Sequence, residues 1–366
     1  MKITKIEVWD FCPPMRDGPY AMSHVVMDCI WGRIYRAETD LGIAGLGETV
    51  FPPSVPRAEQ LDCIAVEPHL LQGLIGQDVQ ALADLAVNLR IKGKLWCGLA
   101  FGLETLCHDL QARSNGVPVF DLLGGRQARS VPDYFSISER TREKLRARIE
   151  IAGAARKVFQ LKLGVGSREN DVEQVALVLG ELGPDQTVLA DANGGWSVER
   201  AASMIAAFDD ARLVWEEPCS TYEANREVML RTGARLMVDQ CAASPTVAAE
   251  VIRDGLAHSL CIKPAFLGGL SVAREIRDAC AEAGMKMRID GPWCGDIASA
   301  AILHLAVGAA EGLLISGCDL REPVLIDPPL SGVVTRGDTQ ISPPDGAGLG
   351  IDLADGLLGP PEAVYQ

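Results

Sequence analysis

The sequence predicts a two-part α/β chain, a small α+β domain followed by a barrel of alternating parallel strands and helices. Three observations carry this reading. The chain has 366 residues, more than one ordinary core needs and enough for a barrel of roughly 250 residues with a smaller companion. From Val131 onward, short and continuously apolar runs recur about every 25 residues, with helical stretches between them. Ahead of them, strand-like alternation is followed by helical periodicity, the order expected of an α+β unit.

The elements follow in order. Met1–Phe11 alternates as a strand; Val25–Thr39 and Ala44–Thr49 read as two more, joined at the turn Asp40-Leu41-Gly42. Pro52–Pro56 is a loop. Ala58–Ile75, Val79–Asn88 and Leu95–Asn115 read as helices, the last stopped by Gly116. The barrel runs are Val131–Phe135, Phe159–Leu163, Val188–Ala190, Leu213–Trp215, Leu236–Val238, Leu260–Ile262, Lys286–Ile289 and Leu313–Ile315. Continuous apolarity suits parallel strands buried on both faces. A doubly wound open sheet is the competing architecture. After Ser316 the chain turns rich in Gly and Pro and holds no further α/β unit. The expected division is 1–125, 126–320 and 321–366, the last segment packing back on the first. Gly346–Gly350 lacks the lysine and following helix of a phosphate loop.

Bulk properties exclude some functions. A formal charge of −15 disfavours nucleic acid and anionic membranes as partners. The 11 cysteines include no C-x-x-C and sit largely in apolar runs, which fits a reduced, cytoplasmic protein. The N-terminus reads as a strand rather than a signal peptide. The apolar stretch from Ile297 to Ala310 contains His304 and falls short of the ~20 residues of a membrane span, so it is expected to be a buried helix.

Barrel active sites lie where strands end. The polar residues there are Gln160 and Lys162, Asp191 and Asn193, Glu216 and Glu217, Asp239 and Gln240, Lys263, and Asp290. Asp191, Glu216 and Asp239 on consecutive strands would converge. Three such charges repel unless a cation sits among them, and hard oxygen ligands suit Mg²⁺. Lys162 lies one strand before this set and Lys263 one strand after. Buried near a divalent cation, a lysine is expected to have its pKa lowered and to serve as a base. The cation would bind a substrate carboxylate and stabilise the enediolate left when the α-proton departs.

Together, Lys162, Asp191-x-Asn193, Glu216-Glu217-Pro218, Asp239 and Lys263 with Gly268-Gly269-Leu270 resemble the muconate-lactonizing subgroup of the enolase superfamily. Gly45-Leu46-Gly47-Glu48-Thr49 and Asp121-Leu122-Leu123-Gly124-Gly125 extend the resemblance over essentially the whole chain. It implies an α+β capping domain on a (β/α)₇β modified TIM barrel, Mg²⁺ held by Asp191, Glu216 and Asp239, Lys162 and Lys263 as the acid/base pair, and a homo-oligomer. The mandelate-racemase subgroup would place a histidine at the seventh strand, and none stands near Asp290. His24, His69, His108, His258 and His304 form no ligand spacing.

Two departures stand out. Gln160 replaces the first lysine of the subgroup's K-x-K, and Gln240 replaces a glutamate after Asp239. With Asp17-Gly18-Pro19-Tyr20, Trp293-x-Gly295-Asp296-Ile297, Gly348-Leu349-Gly350 and Leu358-Gly359-Pro360-Pro361, Gln160 resembles the branch of hydroxyproline-betaine epimerases and cis-3-hydroxyproline dehydratases. The candidate substrate contacts are Tyr20, Gln160, Asn193, Asp290, Trp293 and Asp319. Tyr20 either stacks on a ring or cation or packs at the hinge. Asp290 either meets a substrate amine or caps a helix. Asp319, where a cage tryptophan is expected, suits an ammonium that donates hydrogen bonds.

The expected activity is α-proton abstraction from a small carboxylate, either racemising or epimerising a proline-like amino acid or its N-modified derivative, or dehydrating cis-3-hydroxy-L-proline. Cycloisomerisation, N-acylamino acid or dipeptide epimerisation, a Schiff-base enzyme using one lysine as nucleophile, and a non-catalytic binding barrel are the competing classes.

Overall fold

The computed structural model describes residues 1–21, 26–53, 55–337 and 339–366. Strand β1 (Ile3–Phe11) pairs antiparallel with β2 (Gly32–Thr39), and β2 with β3 (Ala44–Val50), through the turn in which Gly42 N–H donates to Thr39 O at 3.0 Å. The inward positions Ile3, Ile6 and Val8 are fully buried. The strand expected over Val25–Thr39 is broken. Val26–Met27 pairs with Tyr20–Ala21 as a separate small hairpin, and the sheet strand begins at Gly32. Val25 and His24 lie outside the described residues. Helices α1 (Arg57–Gln72), α2 (Gln80–Arg90) and α3 (Lys94–Asn115) cover the sheet. The contact of α3 with β3 is close because both are glycine-rich there. A Cβ on Gly47 would stand 2.3 Å from Gly102 O, and one on Gly98 would stand 2.3 Å from Val50 O.

The barrel strands are β4 (Tyr134–Ile137), β5 (Val158–Lys162), β6 (Thr187–Asp191), β7 (Leu213–Glu216), β8 (Leu236–Val238), β9 (Ser259–Ile262), β10 (Lys286–Ile289) and β11 (Leu314–Ser316). Each pairs parallel with the next. A parallel bridge between Asp133 and Gly317 closes the ring beside β4 and β11. The open-sheet alternative is thereby excluded. The run expected at Val131–Phe135 is split: Val131–Pro132 pairs antiparallel with Gln340–Ser342 of the C-terminal segment, and the barrel strand starts at Tyr134.

Seven helices of two turns or more follow β4 to β10, besides the single turn Pro264–Leu267: α4 (Arg142–Ala152), α5 (Arg168–Glu181), α6 (Val198–Ile205), α7 (Tyr222–Thr232), α8 (Pro245–Asp254), α9 (Leu270–Glu282) and α10 (Asp296–Ala306). Five of them start on a Ser or Thr whose side chain accepts a backbone N–H of the first turn: Thr141, Ser167, Ser197, Thr221 and Ser244. α10 is buried along its length, and no helix of the described residues is long and apolar enough to cross a membrane. Its His304 lies in the core; Nδ1 accepts Phe120 N–H at 3.3 Å and Nε2 faces Leu349 O at 3.2 Å. Beyond β11 the chain returns to the first domain, where β12 (Ala363–Tyr365) adds an edge strand to β1.

Candidate active site

Strand register decides which side chains meet. Neighbouring pairs run Ser136–Gln160, Lys162–Asp191, Asp191–Glu216, Glu216–Met237, Met237–Ser259 and Cys261–Arg288. Side chains alternate across a strand with period two. One face of the ring therefore carries Gln160, Lys162, Asp191, Glu216, Asp239, Lys263, Arg288 and Asp290. This is the inner face, at the strands' C-terminal ends.

The three acids are buried and each is turned onto a cation. Lys162 Nζ donates to Asp191 Oδ2 at 2.6 Å. Lys263 Nζ donates to Asp239 Oδ2 at 2.8 Å and lies 2.8 Å from Oδ1 without making a hydrogen bond there. Arg288 forks onto Glu216, Nη1 to Oε2 at 2.8 Å and Nη2 to Oε1. Gln160 Nε2 lies 3.1 Å from Asp191 Oδ2 and 3.0 Å from Glu216 Oε2, bridging the two. Asn193 donates to Asp191 from its backbone N–H and from Nδ2, at 2.8 and 2.9 Å.

Burial pushes the Glu216 carboxyl up, Arg288 opposes the shift, and the charges of Asp191 and Asp239 add to it, as expected where three carboxylates crowd. Burial also pushes Asp239 up, but Lys263 and Arg288 outweigh it and hold the group low. The two lysines depart from expectation. Burial acts to lower them, yet Asp191 beside Lys162 and Asp239 beside Lys263 win, and both stand above the ordinary lysine range. A lysine paired with a carboxylate keeps its proton.

Among the described residues no three acids stand together as a ready cage for an ion. The donor chemistry nevertheless fits a hard divalent cation. Three buried carboxylates project from neighbouring strands, and Asp239 Oδ1 has no hydrogen-bond partner.

Around this centre lies a cavity of about 80 Å³ lined by Tyr20, Gln160, Lys162, Asn193, Lys263, Arg288, Asp290 and Trp293. Tyr20 meets Trp293 edge to face, with centroids 5.5 Å apart, and its hydroxyl is 3.5 Å from Ser136 Oγ. A larger cavity of about 440 Å³ under the first domain shares Trp293 but holds none of the charged strand ends. Among the described residues, Asp290 Oδ1 is buried without a hydrogen-bond partner. Asp319 is a correction. It does not line the cavity, because Arg321 Nε and Nη2 donate to its two oxygens at 2.9 and 3.2 Å and Arg321 Nη1 continues to Asp296 at 2.9 Å.

Two residues of the site carried no role in the sequence reading. Arg288 was hidden inside an apolar run, although its place two residues before Asp290 puts both on one face of β10. Glu217 adopts φ 39°, a left-handed conformation rare for such a side chain, and Asn193 after β6 adopts φ 47°. Glu217 accepts the backbone N–H groups of Asp239 and Cys241 at 2.6 and 2.8 Å, and so fixes the loop that aims Asp239. No sequence periodicity signals that contact.

Residues 140–357 match the family model described as Enolase C-terminal domain-like, and residues 5–124 match Mandelate racemase / muconate lactonizing enzyme, N-terminal domain. The chain belongs to the mandelate racemase/muconate lactonizing enzyme family. It is an enzyme of the enolase superfamily, and its relatives act on small molecules. It is 29% identical to the cis-3-hydroxy-L-proline dehydratase of Roseibium aggregatum over the whole of both chains. It is 30% identical to muconate cycloisomerase 1-1 of Acinetobacter lwoffii over 88% of this chain and 85% of that one. A mandelate racemase/muconate lactonizing enzyme of Roseovarius nubinhibens, solved complexed with magnesium, superposes with a TM-score of 0.89 at 26% identity, covering 100% of both chains.

Proposed function

We propose that this enzyme removes and returns the α-proton of a small, proline-like amino acid or its N-modified derivative, and so racemises or epimerises it. The observation that carries this reading is the pair of half-buried lysines, Lys162 and Lys263, which line one small cavity from separate strands and donate to the carboxylates of Asp191 and Asp239. Asp191, Glu216 and Asp239 would hold Mg²⁺. An ion there would supply positive charge to offset the negative charge that develops on the substrate carboxylate as the α-proton leaves, and with Asp191 and Asp239 engaged as its ligands, Lys162 and Lys263 would hold their protons less tightly.

The protein's own groups do the rest. One lysine accepts the α-proton, and the other, across the cavity, delivers a proton to the opposite face. Asp290 Oδ1, buried and without a partner among the described residues, receives an N–H of the substrate ammonium, a part closed to Asp319 by its pairing with Arg321. That contact favours a free or secondary amine over a fully methylated one. Tyr20 and Trp293 form an aromatic corner for the ring.

A second reading is dehydration of cis-3-hydroxy-L-proline, favoured by the full-length likeness to a dehydratase of that substrate. It shares the first step and differs only in expelling a β-hydroxyl.

Proton NMR in D₂O with Mg²⁺ tests both, on proline, the 3- and 4-hydroxyprolines, and their N-methyl and betaine forms. Exchange of the α-hydrogen with inversion supports the epimerase, and loss of the β-hydroxyl supports the dehydratase. Absence of exchange across the panel would overturn the proline-type substrate.

A further inference from the structure

Arg288 is the largest fully buried side chain of the protein, and nothing in the proposed proton transfer uses it. Its guanidinium hydrogen-bonds Glu216 and Cys261 and forms an ion pair, without a hydrogen bond, with Asp290. Both oxygens of Glu216 take its fork, Cys261 Sγ lies 3.4 Å from Nε, and Asp290 Oδ2 lies 3.1 Å from Nη2. The plane sits 5.3 Å from the centroid of Tyr134, which walls it on one side. Arg288 thus stands between a carboxylate of the metal set and the carboxylate assigned to the substrate amine.

The two acids are not equally committed to it. Glu216 gives Arg288 both oxygens. Asp290 offers one in an ion pair, and among the described residues its Oδ1 has no hydrogen-bond partner. Any cation held by Glu216 needs an oxygen that Arg288 now covers, since a bidentate guanidinium occupies both lone-pair directions facing it. A buried guanidinium cannot shed its proton to make room, and leaving it unpaired is costly. The unfilled capacity within its present reach is on Asp290.

Building on the metal reading above, we propose that Arg288 is a positioning residue that hands Glu216 over to Mg²⁺ and is retained by Asp290 when the ion binds. The metal site is then self-neutralised without an ion. Its affinity for Mg²⁺ is set by competition with Arg288, and Asp290 tips that competition toward the ion. The metal centre and the substrate-amine carboxylate are linked through one side chain.

The test is calorimetric titration of the full-length, metal-stripped protein with Mg²⁺ alone, without substrate, on folded samples checked by circular dichroism. Arg288→Met, which removes the competitor, is expected to bind Mg²⁺ about tenfold tighter or more, the equivalent of losing a charge-assisted pair. Asp290→Asn is expected to weaken Mg²⁺ binding more in the wild-type background than in Arg288→Met. Any long-range effect of the Asp290 charge is common to both backgrounds, and only the handover needs Arg288. If Arg288→Met does not fold, Arg288→Lys carries the same expectation, because an ammonium cannot fork onto both oxygens. Unchanged or weaker binding in the Arg288 variants, or an equal effect of Asp290→Asn in both backgrounds, overturns the handover and leaves the metal reading standing. No Mg²⁺ binding by any of the proteins, wild type included, overturns the metal reading and the handover with it.

Discussion

Replacing the two lysines one at a time by methionine separates what each does for the fold from what it does for chemistry. The acids they leave behind differ. In Lys162→Met, Asp191 keeps three donors: Gln160 Nε2 at 3.1 Å, Asn193 N at 2.8 Å and Asn193 Nδ2 at 2.9 Å. Losing one partner among several costs about 1–3 kcal/mol. In Lys263→Met, Asp239 loses its one hydrogen bond among the described residues, since Oδ1 has none to begin with. Removing the only hydrogen-bonded partner of a buried charge costs about 3–5 kcal/mol, and Arg288, which also favours the ionised form of Asp239, keeps the loss from running higher. Lys263→Met is therefore expected to be the less stable variant by about 2 kcal/mol. The measurement is urea unfolding of metal-free protein at pH 8, where Asp239 cannot escape by protonation. Equal stabilities, or the reverse order, would refute the argument that Lys263 is the partner Asp239 depends on. With Mg²⁺ and substrate, each variant is expected to lose about 10²–10⁴ in α-proton exchange, the usual share of a general acid or base. At 1.36 kcal/mol per decade this is about 3–5 kcal/mol of barrier. A lysine variant that still exchanges at the wild-type rate is not a base variant.

Two further predictions concern buried titratable groups away from the site, and their signs are opposite. Glu48 of β3 reaches across to the barrel, accepting Gly295 N–H at 2.6 Å and Ala298 N–H at 2.9 Å at the start of α10, and burial pushes its carboxyl from 4.5 up to about 7. A raised folded pKa contributes stability that is full below pH 4.5 and lost as pH rises through about 7, so the advantage of wild type over Glu48→Gln should shrink by about 3 kcal/mol between pH 4.5 and 7 in denaturant titrations; an advantage that grows with pH would refute this. Burial lowers His304 from 6.5 to about 4, a contribution present above pH 6.5 and lost as pH falls through about 4. The advantage of wild type over His304→Gln should therefore fall by about 2 kcal/mol from pH 7 to pH 5, and a pH-independent difference would mean that the histidine is not buried neutral.

Much of the barrel was legible in the sequence because parallel strands buried on both faces must be apolar along their length. Seven of the eight apolar runs mark the observed strands within a residue or two. The exceptions have a common cause. Val131–Phe135 and Val25–Thr39 each look continuous by composition, but each is divided between two sheets, and sheet membership is set by the pairing partner: the distant Gln340–Ser342 for the first, and for the second the nearby Tyr20–Ala21, which draws Val26–Met27 into a hairpin of its own. Apolarity reports burial and is silent about the partner.

The site divides along the same line. Polar residues at the ends of apolar runs are a local signal, and they single out Lys162, Asp191, Glu216, Asp239, Lys263 and Asp290 from the sequence alone; the register of the strands puts them on one face. Which acid pairs with which cation is not local. Asp319 suited an ammonium by type and position, yet Arg321, two residues on, folds back and takes both its oxygens. Arg288 read as part of an apolar strand, yet it forks onto Glu216 across the barrel. Glu217 adjoins Glu216 in the chain, yet its carboxylate holds the loop after the next strand. The sequence by itself determined the alternation of strands and helices, the inward face and the residue types gathered there, because these depend on spacing along one chain. Only the tertiary structure decided the ion pairs, the unpartnered oxygens of Asp239 and Asp290 and the direction of the lysine shifts, because a buried charge answers to whatever stands within a few ångströms of it, whatever its distance in sequence.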